Sequence, residues 1–203
     1  MKKNIIKTVA PEFDTDKNSH GYIEFYQMKM RDEVSKLLEI GAFQGESLRM
    51  WQAIFPNAEI HTIENFADEL AAPERIRAME FVTLHEGSQS DISFLATIKD
   101  EFDVIIDDGD HRPAAQIQAF RHLFANNLAL KGQYFIEDVY SNDEGWNVDV
   151  EPKDRVMPAF EHFIKHKNWG GCKFFPDHEL PFWQSVIKKI EIWDDKLILI
   201  RKK

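Results

Sequence analysis

The stretch FDVIIDDGDH, residues 102–111, constrains most strongly what this chain can fold into. Val104, Ile105 and Ile106 form a short β-branched apolar run, the pattern of a central parallel strand buried on both faces. Asp107, Asp108 and Asp110 then crowd the carboxyl end of that strand, followed at once by His111. Open α/β sheets bind ligands outside the carboxyl ends of their strands, so this charge collects where chemistry is expected. GQYFIED, residues 132–138, repeats the arrangement: Tyr134, Phe135 and Ile136 make a strand, and Glu137 and Asp138 end it.

Two unit charges about 4 Å apart repel by about 1 kcal/mol in water and about 4 kcal/mol at a protein-like effective dielectric. A cluster of carboxylates therefore needs shared protons, Lys or Arg partners, or a divalent cation. The basic residues nearest in sequence are Arg112 and Lys131. Oxygen donors with a single histidine suit Mg²⁺ or Mn²⁺ better than zinc. The alternative for any single Asp is a helix cap facing water, which explains the whole DDGDH and ED set poorly.

At 203 residues the chain is expected to form an N-terminal arm and leading helix over 1–30 and a single domain over 31–203. Hydrophobic content of 43% supplies a core, and a net charge of −10 argues against a nucleic-acid partner, which needs a basic face. Cys172 is the one cysteine, so no intrachain disulfide forms. No run approaches 18 consecutive apolar residues and no signal-peptide pattern is present, so the expectation is a cytoplasmic protein without a membrane partner.

Residues 1–13 lack periodicity and read as an arm or a short added strand. FDTDKNSHGYIEFYQMKM, 13–30, reads as an ordinary amphipathic helix capped by Asp16 or Ser19 and burying Tyr22, Phe25 and Tyr26. LLEIGAFQGESLRMWQAIF, 37–55, is a strand, a glycine turn and a helix. Gly41 and Gly45 allow the backbone to turn tightly and approach a ligand, and the helix presents its N-terminal amides. The third glycine of the dinucleotide fingerprint is missing, which counts against NAD or FAD. The second strand, 58–64, ends in Glu64, placed to hold ribose hydroxyls.

A helix near 73–79 and a short strand at 81–87 follow. Gln89, Ser90 and Asp91 then form a loop that either reads an adenine edge or caps the next helix. Pro113 opens a helix whose buried stripe is Ile117, Phe120 and Phe124, which places His111 on the strand-to-helix connection. Residues 139–152 read as a substrate loop or lid, 157–167 as a helix, and 185–203 as a hairpin turning at Asp194 and Asp195. Trp146, Trp169 and Trp183 are either sugar-stacking surfaces or packing residues.

The order strand, glycine turn, helix, acid-ended strands and terminal hairpin resembles the class I S-adenosylmethionine (AdoMet) methyltransferase fold. This is an α/β, Rossmann-like doubly wound sheet, mostly parallel with a C-terminal antiparallel hairpin. TDKNSHGY at 15–22, LLEIGAFQGESLRMW at 37–51, GSQSD at 87–91, FDVIIDDGDH at 102–111 and YFIED at 134–138 resemble the metal-dependent sugar O-methyltransferases of macrocin and mycinamicin type. The resemblance implies Mg²⁺ or Mn²⁺ ligation by Asp108, Glu137 and Asp138, and His111 as general base. It further implies an AdoMet site lined by Glu39, Gly41, Ser47 and Glu64, to which the glycine turn adds Gly45, the loop adds Gln89 and the DDG element adds Asp108.

The implied reaction is Mg²⁺-assisted methyl transfer to a hydroxyl of a sugar, glycoside or other polyhydroxylated small molecule, in a chain that could form a homo-oligomer. The sequence departs from that family at Asp110, usually Ser, at Ser88, usually Asp, and at Gln133, often Gly; the larger members also carry an extra N-terminal domain. A catechol-type O-methyltransferase, a non-catalytic AdoMet- or nucleotide-binding domain and a Rossmann oxidoreductase are the competing readings.

Overall fold

The computed structural model of the chain describes residues 4–140 and 150–203. Five parallel strands, β1 (Lys36–Ile40), β2 (Glu59–Glu64), β3 (Val82–Glu86), β4 (Phe102–Asp107) and β5 (Leu128–Ile136), are extended by the antiparallel pair β6 (Ile187–Trp193) and β7 (Leu197–Lys202). Their order in the sheet is β3-β2-β1-β4-β5-β7-β6. Because β2 and β3 lie to one side of β1 and β4 and β5 to the other, the strand order reverses between β1 and β4. That reversal opens a crevice at the carboxyl edge.

Helices α1 (Ile5–Val9), α2 (Tyr22–Lys29), α3 (Glu46–Ile54) and α4 (Pro73–Arg77) precede α5 (Ile92–Leu95), α6 (Pro113–Asn126), α7 (Val156–His166) and α8 (Leu180–Val186). Tyr26, Leu48 and Trp51 pack with Val104, Ile106 and Phe135 on one face of the sheet. Ile117, Phe120 and Phe160 pack with Ile105, Tyr134 and Ile136 on the other. Neighbours in β4 and β5 thus point to opposite cores, which is why these strands read as unbroken apolar runs.

Within the expected arm at 1–13, Ile5–Val9 form helix α1 and Ala10–Glu12 a 3₁₀ turn. Ile6 and Ala10, one helical turn apart, are buried, and the Gln27 side chain accepts hydrogen bonds from the first amides of α1, Ile6 N at 3.0 Å and Lys7 N at 3.2 Å. Five residues are too few for periodicity to show in sequence. Neither Asp16 nor Ser19 caps α2; Gly21 does so at φ +79°, and the Ser19 hydroxyl donates to the Asp16 carbonyl within the preceding loop.

Gln133 has a structural task at the other end of α2. Its side chain accepts from Arg31 N and donates to the Lys29 carbonyl, both at 2.7 Å. The hairpin turns as expected, with positive φ at Asp194 and Asp195. Trp169 and Trp183 are core residues, Trp169 stacking on Phe175 with ring centroids 3.7 Å apart. Trp146 and most of the expected lid, 141–149, lie outside the described residues. Among the described residues no helix is long and apolar enough to cross a membrane.

Candidate active site

A cleft of about 1060 Å³ opens at the carboxyl ends of β1, β2 and β4. The β1–α3 turn forms one wall with Gly41, Gly45 and Ser47, Glu64 and Gln89 stand beside it, and Asp108 and His111 form the opposite wall. Gly41 has φ +89°, and a Cβ there would lie 2.1 Å from the Asp108 carbonyl oxygen, so the turn and the DDG backbone approach as closely as only glycine permits. Glu39, Glu137 and Asp138 are buried and do not line the cleft.

Behind the cleft the carboxylates converge on a cation that sequence reasoning missed. Lys17, wholly buried, places its ammonium 2.5 Å from Asp108 Oδ2, 2.8 Å from Glu137 Oε2 and 3.2 Å from Glu39 Oε1. Helix α2 adds two phenols: Tyr26 donates to Glu137 Oε1 and Tyr22 to Asp138 Oδ1. On the far side of Asp138 stand His20, with Nδ1 3.5 Å from Oδ1, and His111, with Nε2 3.7 Å from Oδ2. Tyr22 and Tyr26 share a helix face by their spacing of four, which is the one local signal that could have marked them.

Burial works against the Lys17 charge, but Asp108, Glu137 and Glu39 outweigh it and hold its pKa well above the ordinary value. Burial pushes Glu137 and Glu39 upward despite the pull of Lys17. Three carboxylates, Glu39, Asp108 and Glu137, share this one ammonium, so two negative charges are left for protons or a cation to offset when all three are ionised. Asp108, His111 and Asp138 bring ligand atoms within 4.8 Å of one another, an oxygen-rich donor set with one imidazole that fits a hard divalent ion.

The other acids have different work. Asp107 is fully buried, accepts from Gln89 Nε2 at 3.0 Å and Tyr134 Oη at 3.3 Å, and burial pushes its pKa to about 8, so it carries a proton at neutral pH. Gln89 uses both ends of its amide in the protein: besides Asp107 it accepts from Asp110 N at 2.6 Å. Asp110 is paired with Arg112, whose hydrogen bonds outweigh burial and keep its pKa low.

Glu64 takes four backbone amides. Ala42 N and Phe43 N bind one oxygen at 2.8 and 3.1 Å, and Asn65 N and Phe66 N bind the other at 2.8 and 2.9 Å. Glu39 accepts from Ser47 Oγ at 2.8 Å and Trp51 Nε1 at 3.2 Å, so it supports the turn from beneath.

A doubly wound sheet closed by an antiparallel hairpin, with its cleft at this switch point, is the class I AdoMet methyltransferase fold. The MycE methyltransferase from the mycinamycin biosynthetic pathway, solved with Mg, SAH and mycinamycin VI, shares it at a TM-score of 0.76 and 22% identity, over 99% of this chain and 54% of that one. A putative caffeoyl-CoA O-methyltransferase from Staphylococcus aureus shares it at 0.56 and 18% identity, over 98% and 92%.

Within that class the curated relatives are sugar O-methyltransferases. The 8-demethyl-8-(2-methoxy-alpha-L-rhamnosyl)-tetracenomycin-C 3'-O-methyltransferase of Streptomyces olivaceus is 34% identical over 128 residues, 58% of this chain and 31% of the relative. The mycinamicin VI 2''-O-methyltransferase of Micromonospora griseorubida is 32% identical over 139 residues, 60% and 32%. The chain thus spans about a third of the length of the curated relatives it matches. No protein-family model matches it.

Proposed function

We propose that this chain is an AdoMet-dependent, divalent-cation-assisted O-methyltransferase acting on a hydroxyl of a sugar or other polyhydroxylated small molecule. The observation that carries the reading is the juxtaposition of Asp108 and His111 on one wall of the cleft, with the buried Asp138 grouped with them, and the glycine turn at Gly41 on the other. The similarity to sugar O-methyltransferases supports the acceptor class. The acidic balance disfavours a phosphate polymer as substrate, and one buried free cysteine suits a reducing cytoplasm.

AdoMet would bind along Gly41, Gly45 and Ser47 with its ribose toward Glu64, and the ion would sit at Asp108 and Asp138. When bound, AdoMet supplies an activated methyl group and the ion lowers the pKa of a hydroxyl beside it. A sugar hydroxyl is a poor nucleophile at neutral pH, so the chain's own task is to take its proton. His111, 28% exposed and at the cleft wall, is placed to receive it, and Asp138 beside its Nε2 stabilises the imidazolium that results. The buried set behind them excludes water and fixes the orientation of Asp108 and Asp138.

The test is calorimetric binding of AdoMet, followed by methyl transfer to a panel of rhamnosides and other glycosides with and without EDTA. Binding of AdoMet, transfer that EDTA abolishes and Mg²⁺ or Mn²⁺ restores, and a loss of about 10²- to 10⁴-fold in turnover for His111→Ala with cofactor affinity kept are the expected results. Full transfer in excess EDTA, or wild-type turnover in His111→Ala, would remove the ion or the base from the mechanism.

A further inference from the structure

A second group of metal-ligating side chains lies away from the cleft. His61 on β2, His85 on the edge strand β3 and Asp100 just before β4 each offer one ligand atom, and these atoms lie within 4.8 Å of one another. None of the three lines the cleft. His61 Nδ1 and His85 Nε2 face each other at 3.0 Å. Burial pulls both imidazoles below the usual histidine pKa, so both rings are neutral at pH 7 and carry lone pairs. Asp100 is held below the usual carboxylate range, chiefly by the hydrogen bond from Lys36. The Lys36 ammonium lies 2.6 Å from Asp100 Oδ1 and 2.9 Å from Glu59 Oε2, so two carboxylates against one ammonium leave a net negative charge beside the rings.

We propose that His61, His85 and Asp100 form a second metal site, for a late first-row divalent ion of the Zn²⁺ class, separate from the acids of the cleft. The donor set selects the ion: two imidazoles and one carboxylate suit Zn²⁺ and its neighbours, whereas Mg²⁺ prefers oxygen alone. The spacing agrees. Two ligand atoms about 2.0–2.1 Å from a tetrahedral ion stand about 3.3–3.4 Å apart, so the two ring nitrogens need to part by only a few tenths of an ångström. The other nitrogen of His61 agrees as well. The ring is 3% exposed, its Nε2 makes no hydrogen bond among the described residues, and Glu59 Oε2 stands 3.6 Å away. A ligating histidine directs its second N–H to such a carboxylate. His85 and Asp100 are half-buried and give the ion its way in, and three protein ligands leave a fourth position for water. A bound ion would pin the edge strand β3 to β2 and to the chain entering β4, a structural task that does not depend on the methyltransferase reading.

Calorimetric titration of the whole chain with Zn²⁺, in a large excess of Mg²⁺ to fill the cleft, tests this without any acceptor or turnover. Wild type should take up one Zn²⁺ and gain in Tm, because the ion binds only the folded chain. Loss of an outer partner costs about 10- to 100-fold in metal affinity, so loss of a ligand in His85→Gln should cost about 100-fold or more and remove the Tm gain. His85 is the first choice because it is half-buried on an edge strand; His61→Gln alters a core position and serves as the second variant. Asp108→Asn, which breaks the cleft set, should keep the Zn²⁺ site.

A wild type that takes no Zn²⁺ under these conditions overturns the proposal and leaves His61 and His85 as a hydrogen-bonded pair. Uptake that persists unchanged in His85→Gln overturns it too, placing the ion elsewhere, for example at His162 and His166 on α7, whose rings stand 4.4 Å apart. Uptake lost in Asp108→Asn but kept in His85→Gln would assign the ion to the cleft.

Discussion

At the scale of single residues, the acids at the end of β4 show how neighbouring positions in one motif acquire opposite states. Asp108 reaches an ammonium and the cleft, whereas Asp107 points into the core between Gln89 and Tyr134 and is held protonated, its pKa raised by burial from 3.8 to about 8. The sign of the linkage is definite. Between these values the unfolded chain ionises Asp107 while the folded chain keeps its proton, so folding stability falls as pH rises, by at most about 1.4 kcal/mol per pH unit. The contribution is intact below the unfolded pKa and gone above the folded one. Asp107→Asn should therefore be more stable than wild type at pH 9, with the difference shrinking toward pH 4. Urea melts in EDTA across that range measure it, and parallel slopes for the two proteins would place Asp107 as an ordinary ionised acid.

At the scale of elements, α2 is the part whose role was least legible. Its existence follows from the spacing of Tyr22, Phe25 and Tyr26, but its target does not: Lys17 meets Asp108 and Glu137 across 91 and 120 residues, and Tyr22 meets Asp138 across 116. Local pattern reports burial, and these side chains are buried; what they are buried against is decided by the closure of the sheet. The strands were legible because apolar runs ending in acids are a local property, and α1 was not because it is one short turn with a single buried isoleucine. Helix α2 is anchored at its far end by Glu191 on β6, which meets Lys29 at 2.8 Å, Lys189 at 3.0 Å and Arg201 at 3.2 Å.

Burial opposes the Glu191 charge, but these three partners outweigh it and bring its pKa to about 2. A depressed carboxylate pKa stabilises above its unfolded value and loses that contribution as pH falls through the folded one. Glu191→Gln should cost about 1 kcal/mol at pH 7, since the network is partly exposed, and nothing by about pH 2. A cost that does not change between pH 7 and 2 would mean that the residue acts through packing alone.

At the scale of the whole molecule, the cleft is the seam where the β1–β2–β3 side of the sheet meets the β4–β5–hairpin side, and Glu64 fastens its open edge. Sequence reading placed Glu64 at a ribose; in the structure its four acceptor positions are filled by amides of the turns after β1 and β2. A ribose hydroxyl arriving there must displace one of these amides, so cofactor binding and the shape of the seam are linked. AdoMet at about 100 times its Kd should stabilise the fold by about 2.7 kcal/mol, a rise of about 5–11 °C in Tm for a chain of this size. Glu64→Ala should act twice. Without cofactor it should lower Tm by several degrees, because the amides lose a charged acceptor at about 1.5–3 kcal/mol for each bond that water does not replace. With cofactor it should also shrink the AdoMet-induced rise. Differential scanning calorimetry on both proteins separates the two roles: an unchanged Tm in the absence of cofactor rejects Glu64 as the fastener, and an unchanged AdoMet-induced rise rejects it as the ribose contact.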